Sequence, residues 1–189
     1  MVAILDLWLP ILLSALGVFI VSSIVHMVLP YHKSDHKKVA GEDGMRESLK
    51  LTKAQPGQYM FPHASSMQEY NSPEHQLKMK DGPIGMLIIF SENNINMGRQ
   101  LAIWFIFSIV VGVFSAYLAG LGLAPGAEFM EVLQRVAATA FLAYGLSNVT
   151  DSIWKGVPWS ITAKFLFDGL LYGLTTGAIF AALWPAPTP

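Results

Sequence analysis

The segment HMVLPYHKSDHKK, residues 26–38, concentrates side chains that could bind a metal ion directly after a long apolar run. His32 and His36 are four residues apart, a spacing that places two imidazoles on one face of a helix, as metal sites often require. The surrounding lysines disfavour a cation, however, and no obvious third ligand accompanies the pair, although the chain offers Asp35, Glu42, His63 and His75. We therefore interpret the segment as the end of a membrane helix at the membrane–water interface and keep His32 and His36 as secondary metal candidates.

His26 is a candidate for cofactor binding, because it lies one helical turn inside the apolar run and on the same face as Ser22. An imidazole in this position could be the axial ligand of a haem iron or of the magnesium in a chlorophyll-type pigment. A histidine at this depth can also hydrogen-bond to a neighbouring helix. The cofactor is left unknown at this stage, with lipid, pigment and haem held at helix surfaces as the alternatives.

Charged side chains also lie within or beside the later apolar stretches: Arg135, Asp151, Lys164 and Asp168. Arg135 and Asp151 are the first and last members of a stripe of residues spaced by four, and the members between them are Thr139, Ala143 and Ser147. Such a stripe could line a path for ions or protons, but it has no ionisable group at mid-depth, where transport sites usually have one. We favour the interpretation that the charges lie at the two ends of a helix and that the Thr, Ala and Ser side chains pack between them. Asp168 is the deepest acid and the best single candidate for a polar functional group among the helices.

The composition is typical of a membrane protein. Of the 189 residues, 53% are hydrophobic and only 13% are charged, whereas soluble domains contain about 25% charged residues. A net charge of −1 provides no field that would attract nucleic acid. The chain has no cysteine, which excludes disulfides, thiolate nucleophiles, iron–sulfur clusters and cysteine zinc sites.

Four apolar stretches are long enough to cross a hydrocarbon core of about 30 Å, which requires about 20 helical residues. They cover residues 7–29, 101–120, 129–150 and 161–184. Because lipid offers no hydrogen-bond partners, each stretch must satisfy its backbone internally as a helix. The sequence therefore predicts an all-α integral membrane protein with four transmembrane helices. Residues 1–30 contain the first helix, 31–98 form a mostly irregular cytoplasmic loop, and 99–189 contain the other three helices and a short external tail.

The distribution of Lys and Arg predicts the orientation of these helices. Basic residues are concentrated between the first two stretches and around the connection between the third and fourth, at Lys155 and Lys164. Because basic loops stay in the cytoplasm, both termini are expected on the outer side of the membrane and residues 31–98 in the cytoplasm. The five tryptophans agree with this orientation, since each falls near a predicted interface.

Two of the stretches carry small residues on one helix face, at a spacing of four. The second stretch has Ser108, Gly112, Ala116 and Gly120, and the fourth has Gly169, Gly173, Gly177 and Ala181. Small side chains allow two helix backbones to approach closely in lipid. We favour packing within a four-helix bundle, with a ligand groove or a contact between molecules as the alternatives.

Residues 31–98 contain few large apolar side chains and can bury little core by themselves. We expect this segment to fold against the membrane helices, to fold on a partner, or to stay mobile. Local signals predict a short helix from Asp43 to about Lys53 and a second helix that begins after Ser72. The segment IGMLIIF, residues 84–90, is too short to span a membrane and is expected to form a strand or an interfacial segment.

The segments HMVLPYHKSD, YMFP, FLAYGLSNVTDSIWKG and KFLFDGLLYG resemble those of small, uncharacterised bacterial membrane proteins with four spans. The resemblance extends over most of the chain. It implies the same topology and a bacterial origin, and it brings no known activity with it.

The sequence contains no nucleotide-binding loop or nucleophile elbow, so we expect no enzymatic activity. The leading hypothesis is a non-catalytic integral membrane subunit that packs against and stabilises a larger complex of the respiratory or photosynthetic reaction-centre or antenna type. Its expected partners are membrane lipids and other membrane protein subunits, and not nucleic acid. The alternatives are a haem- or chlorophyll-binding redox protein that uses His26, and a small transporter or channel that uses Asp168.

Overall fold

A computed structural model describes residues 1–91 and 96–187 of the chain. The described helices are α1 (Trp8–Ser23), α2 (Glu42–Leu51), α3 (Met67–Tyr70), α4 (Pro73–Asp81), α5 (Met97–Gly122), α6 (Phe129–Tyr144), α7 (Val149–Trp154) and α8 (Trp159–Ala182), and the strands are β1 (Gly57–Phe61) and β2 (Gly85–Ile89). The chain forms two compact units. The helix bundle comprises residues 1–36 and 97 onwards, and the connecting unit comprises residues 37–96.

Among the described residues, three helices are long and apolar enough to cross a membrane, and the chain is mostly helical, which fits the predicted all-α membrane protein. The first runs from Ile4 to Val28: it opens with a 3-10 turn, continues as α1 and ends in a π-helical segment, Ile24–Val28. The other two are α5, with 26 residues, and α8, with 24. They correspond to the predicted first, second and fourth stretches.

The third predicted stretch is interrupted. α6 has 16 residues, which gives a length of about 24 Å at 1.5 Å per residue and falls short of a hydrocarbon core of about 30 Å. The helix ends at Tyr144, and the chain continues from Gly145 through a 3-10 turn, Leu146–Asn148, into α7. Glycine is a poor helix former, so α6 ends before Gly145. The hydropathy of the predicted stretch does not show this end, because the residues on both sides of the glycine are apolar.

α6 packs antiparallel to α8 along the small residues of the fourth stretch. Gly169 lies against Gly145, Gly173 against Ala137 and Gly177 against Leu133. At each of these glycines an added β-carbon would lie within 2.8 Å of a backbone atom of the neighbouring segment, so the approach requires glycine. Ala181, the last member of the set, is partly buried against the core of the bundle.

α5 packs antiparallel to the first membrane helix along the small residues of the second stretch. Gly120 lies against the Val2 carbonyl and Gly112 against Ile11, while Ser108 and Ala116 are buried. At the other end of the same contact, the Trp104 indole donates a hydrogen bond to Ser22 Oγ over 3.0 Å. Both sets of small residues thus pack inside the helix bundle in the described structure.

The bundle has two chemically different ends. The first membrane helix is also antiparallel to α8, because Gly17 lies against Ile179 and Tyr31 lies against Asp168. The terminal end contains the first residues of the chain, the described residues after α8 and the α5–α6 turn, where the Gly126 amide donates to the Pro185 carbonyl over 2.7 Å. The opposite end, which we call the basic end, holds the residues after Val28 and the start of α8.

The connecting unit is more regular than the loop that the sequence predicts. α2 covers most of the predicted 43–53 helix, and α4 begins after Ser72, whose Oγ accepts from the His75 amide over 3.2 Å as an N-cap. β1 and β2 pair as a two-stranded antiparallel sheet in which Met60 lies opposite Met86, and we call this pair of strands the hairpin although α3 and α4 lie between them in sequence. β2 lies within the segment 84–90, for which the sequence predicts a strand or an interfacial segment.

Candidate cation site at the basic end of the bundle

A cluster of charged and polar side chains joins the first membrane helix to α8. Its members are His26, Tyr31, His32, Asp35, Lys164 and Asp168, and we call it the junction cluster. The local sequence explains the turn that builds it. Pro30 lacks a backbone N–H and forces the preceding residue out of helical conformation. Leu29 is accordingly extended, and the following 3-10 turn, Tyr31–Ser34, carries its side chains to α8.

His32 lies between two carboxylates. Its Nδ1 is 2.6 Å from Asp35 Oδ2, and its Nε2 is 2.9 Å from Asp168 Oδ2. Because ionised carboxylates only accept hydrogen bonds, either both ring nitrogens carry a proton or another cation takes the place of one proton. The imidazole thus links two elements that are 136 residues apart in the sequence.

Lys164 holds the 3-10 turn against α8. Its Nζ donates to the Tyr31 carbonyl over 2.6 Å and to Ser34 Oγ over 2.9 Å, and it pairs with the Asp35 carboxylate. Burial by itself raises the pKa of the Asp35 carboxyl, but the hydrogen bonds from Lys164 and His32 outweigh burial, and the net pKa is lowered from its ordinary value. Asp35 is therefore an anion at neutral pH.

Tyr31 supplies the remaining partner of Asp168. Its hydroxyl donates to Asp168 Oδ1, and burial together with this hydrogen bond raises the pKa of the Tyr31 hydroxyl well above its ordinary value. The phenol consequently stays protonated and donating at neutral pH. Asp168 is only 1% exposed, and a carboxylate removed from water in this way requires close partners, because an unpaired buried charge is strongly destabilising.

His26 brings a second imidazole to the cluster. The centroids of the His26 and His32 rings are 4.4 Å apart, with the rings tilted by 33°. One potential ligand atom from each of His26, His32 and Asp168 lies within 4.8 Å of the other two. His26 is exposed while Asp168 is buried, so this group of three opens to the surface of the bundle on the His26 side.

His36 does not join the cluster. The 3-10 turn ends at Ser34, so His32 and His36 do not share a helix face as the sequence spacing suggested. His36 is exposed and lines a cleft of about 400 Å³ together with Asp35, Asp151 and Lys155. The two secondary metal candidates are thereby separated, and His32 finds its neighbours across the bundle instead.

The polar stripe of the third stretch does not line the interior of the bundle. The hydroxyls of Thr139 and Ser147 donate to carbonyls of their own helix, at 2.9 and 2.8 Å, and Arg135 and Ser147 are exposed. Asp151 pairs with Lys155 over 2.7 Å at the surface. Arg135 lies near the middle of α6 and not at its end, and the two hydroxyls of the stripe are used by backbone carbonyls.

Sequence reasoning selected His26, His32, Lys164 and Asp168 separately and did not bring them together. Asp35 was considered only as an available metal ligand, and Tyr31 was not selected as a candidate. One signal could have connected these residues: the predicted topology places 31–36 and the start of the fourth stretch at the same membrane face, where the buried acid requires a cationic partner.

Comparisons of the chain with protein-family models, with curated proteins and with solved structures found no match. The fold and the cluster define a class all the same: an integral membrane protein with a helix bundle and a charged, histidine-containing cluster at one end. The chemistry of this cluster and the surface of the connecting unit support the two proposals that follow.

Proposed function

We propose that the chain is a non-catalytic integral membrane subunit that binds and stabilises a companion membrane protein. One observation carries the proposal: the hairpin of the connecting unit exposes an apolar face. Met60 lies opposite Met86, and Ile88 is two residues further along β2, so the three side chains share one face. They are 50%, 36% and 56% exposed, respectively.

The apolar face continues beyond the ends of β2. Ile84 and Phe90, which flank the strand, are 53% and 64% exposed. Contiguous apolar surface outside a hydrocarbon core is typical of an interaction site. A two-stranded hairpin is at best marginally stable in water and needs a further strand or a covering element. A protein partner supplies both an apolar surface and backbone groups for the strand edges, which a lipid surface does not.

The directions of the helices support four crossings. α5 and α8 are both antiparallel to the first membrane helix, as described above, and are therefore parallel to each other. If both cross the bilayer, the chain must return across it between Gly122 and Trp159. α6, which is antiparallel to α8, is the helix in position to do so with the turn at Leu146–Asn148. We propose that α6 is this fourth crossing, placing both termini on one side.

The sidedness follows from the charges of the two ends. Lys33, Lys155 and Lys164 lie at the basic end, and the α5–α6 turn at the terminal end has no Lys or Arg. Because basic segments remain in the cytoplasm, the connecting unit is proposed to be cytoplasmic and both termini periplasmic, in a bacterial inner membrane. The partner surface would then be reached from the cytoplasm.

The partner contact is tested by the substitution Ile88→Lys. A charge in the centre of an apolar contact is expected to abolish the association, since burial of an unpaired charge is unfavourable. The matched control is Leu51→Lys, because Leu51 is 81% exposed in the same unit but lies on α2, away from the hairpin. The full chain would be purified from its native membrane in mild detergent and its particle size measured.

The wild-type chain and Leu51→Lys are expected in a particle with one companion membrane protein at fixed stoichiometry, and Ile88→Lys is expected alone. A photoreactive residue at Met86 should crosslink to the same companion in cells. A wild-type chain that runs as a lone monodisperse monomer, or an Ile88→Lys variant that retains the companion, contradicts the proposal.

A further inference from the structure

We propose that the junction cluster binds a divalent transition-metal ion of the zinc type through His26, His32 and Asp168. This inference concerns the basic end of the bundle and is independent of the proposed partner contact, which lies on the connecting unit. Four features of the site support it: the spacing of the three ligands, the groups that orient them, the charge of the cluster and the opening at His26.

The spacing of the ligands matches a tetrahedral ion. Bonds of about 2.0–2.2 Å from nitrogen and oxygen to zinc place neighbouring ligand atoms about 3.3–3.6 Å apart in a tetrahedron. His32 Nε2 and Asp168 Oδ2 are 2.9 Å apart, and one ligand atom from each of the three residues lies within 4.8 Å of the other two. The first separation must therefore widen by about 0.5 Å to admit the ion, which a small adjustment of the two side chains provides.

Both inner ligands are already oriented by other side chains. Asp35 accepts from His32 Nδ1 over 2.6 Å, which leaves Nε2 directed towards Asp168. Tyr31 donates to Asp168 Oδ1 and leaves Oδ2 to face the histidine. A carboxylate on the distal nitrogen of a ligating histidine is a regular feature of zinc sites, where it fixes the tautomer and the ring. Lys164 in turn holds Asp35 in position.

The charges and donor types select the class of ion. With both carboxylates ionised, the cluster has two negative charges against the one positive charge of Lys164, and a cation beside a neutral His32 ring balances the second. Two imidazoles and one carboxylate favour zinc, cobalt, nickel or copper over magnesium and calcium, which prefer oxygen ligands alone. The absence of cysteine removes the thiolate alternative.

The site is open on one side. His26 is exposed, so an ion can enter there and keep a water molecule or an exchangeable group as its fourth ligand. Three protein ligands with one open position are the arrangement that a single four-coordinate ion uses.

Cobalt(II) is a suitable probe, because its visible absorption reports four-coordinate binding directly. The full chain, carrying an affinity tag without histidines, would be purified in mild detergent, treated with chelator and titrated with Co²⁺. We expect one Co²⁺ per chain with intense visible bands, which Zn²⁺ then removes by displacement. His26→Ala is expected to lower the affinity at least 100-fold while its circular dichroism stays that of the wild type, because His26 is exposed.

The matched control is His63→Ala, which removes an exposed imidazole from the connecting unit and is expected to bind Co²⁺ like the wild type. Asp35→Asn, which changes the group that orients His32, is expected to weaken binding about 10–100-fold. Absence of stoichiometric Co²⁺ bands in the wild-type chain, or unchanged affinity in His26→Ala, would overturn the proposal.

Discussion

Gly169→Ala is expected to lower the free energy of unfolding of the bundle by about 3 kcal/mol or more, at the upper end of the cost of overpacking. A β-carbon at this position would lie 2.3 Å from Gly145 Cα and 2.5 Å from Gly145 N. Both are backbone atoms, so relief requires α6 and α8 to move apart. The measurement is reversible unfolding in mixed detergent micelles, followed by circular dichroism.

The control is Gly122→Ala, where the added carbon would also lie 2.3 Å from its nearest neighbour. That neighbour is Nη1 at the flexible end of Arg135, which can turn away. Alanine also has a higher helix propensity than glycine, by about 1 kcal/mol, so Gly122→Ala should leave stability unchanged or slightly increased. Equal stability of the two variants would contradict the close approach of α6 and α8.

The second large effect is expected at His32 and Asp168. Because Asp168 is buried, loss of the His32 contact leaves a buried polar group without one of its hydrogen bonds, which costs about 1–3 kcal/mol and more when the group is charged. Asp168→Ala also deprives the Tyr31 hydroxyl of its acceptor. His32→Ala and Asp168→Ala should each therefore be strongly destabilising, and the double variant should cost less than the sum by at least about 1 kcal/mol.

The comparison pair for this cycle is Asp151 and Lys155, which are joined over 2.7 Å but are 39% and 50% exposed. An exposed pair at this spacing contributes about 0.3–0.5 kcal/mol, so its two single substitutions should have small effects. If the effects of His32→Ala and Asp168→Ala simply add, the two residues do not interact as the geometry requires.

The sequence predicted the long elements well because the bilayer thickness and hydrogen-bond requirement of lipid determine them. The apolar runs at 7–29, 101–120 and 161–184 match three helices to within a few residues at each end. The N-cap at Ser72 was also predictable, since the side chain and the following proline act locally. The small residues of α5 and α8 were recognised as packing positions, although their partners were not.

Features that depend on contacts distant in the sequence were not predictable. α6 ends at Tyr144 with Gly145 as its C-cap, inside a continuous apolar run whose hydropathy gives no sign of a helix end. His32 and His36 looked like a helical pair, but Pro30 produces a 3-10 turn that carries His32 to Asp168, 136 residues away. The segment 84–90 was expected to form a strand or an interfacial segment, but its pairing with residues 57–61 could not be predicted from local signals.

The central claim is that the bundle crosses the bilayer four times with the connecting unit on the basic side, and labelling of single cysteines tests it most directly. The natural chain has no cysteine, so one cysteine can be introduced at a time at an exposed position. The sites are Ala3, Ala40, Glu128 and Lys155.

A membrane-impermeant maleimide added to intact bacterial cells should label the variants at Ala3 and Glu128. The variants at Ala40 and Lys155 should react only after the cells are permeabilised. Reaction of Glu128→Cys and Lys155→Cys from the same side, or of Ala40→Cys in intact cells, would contradict the account.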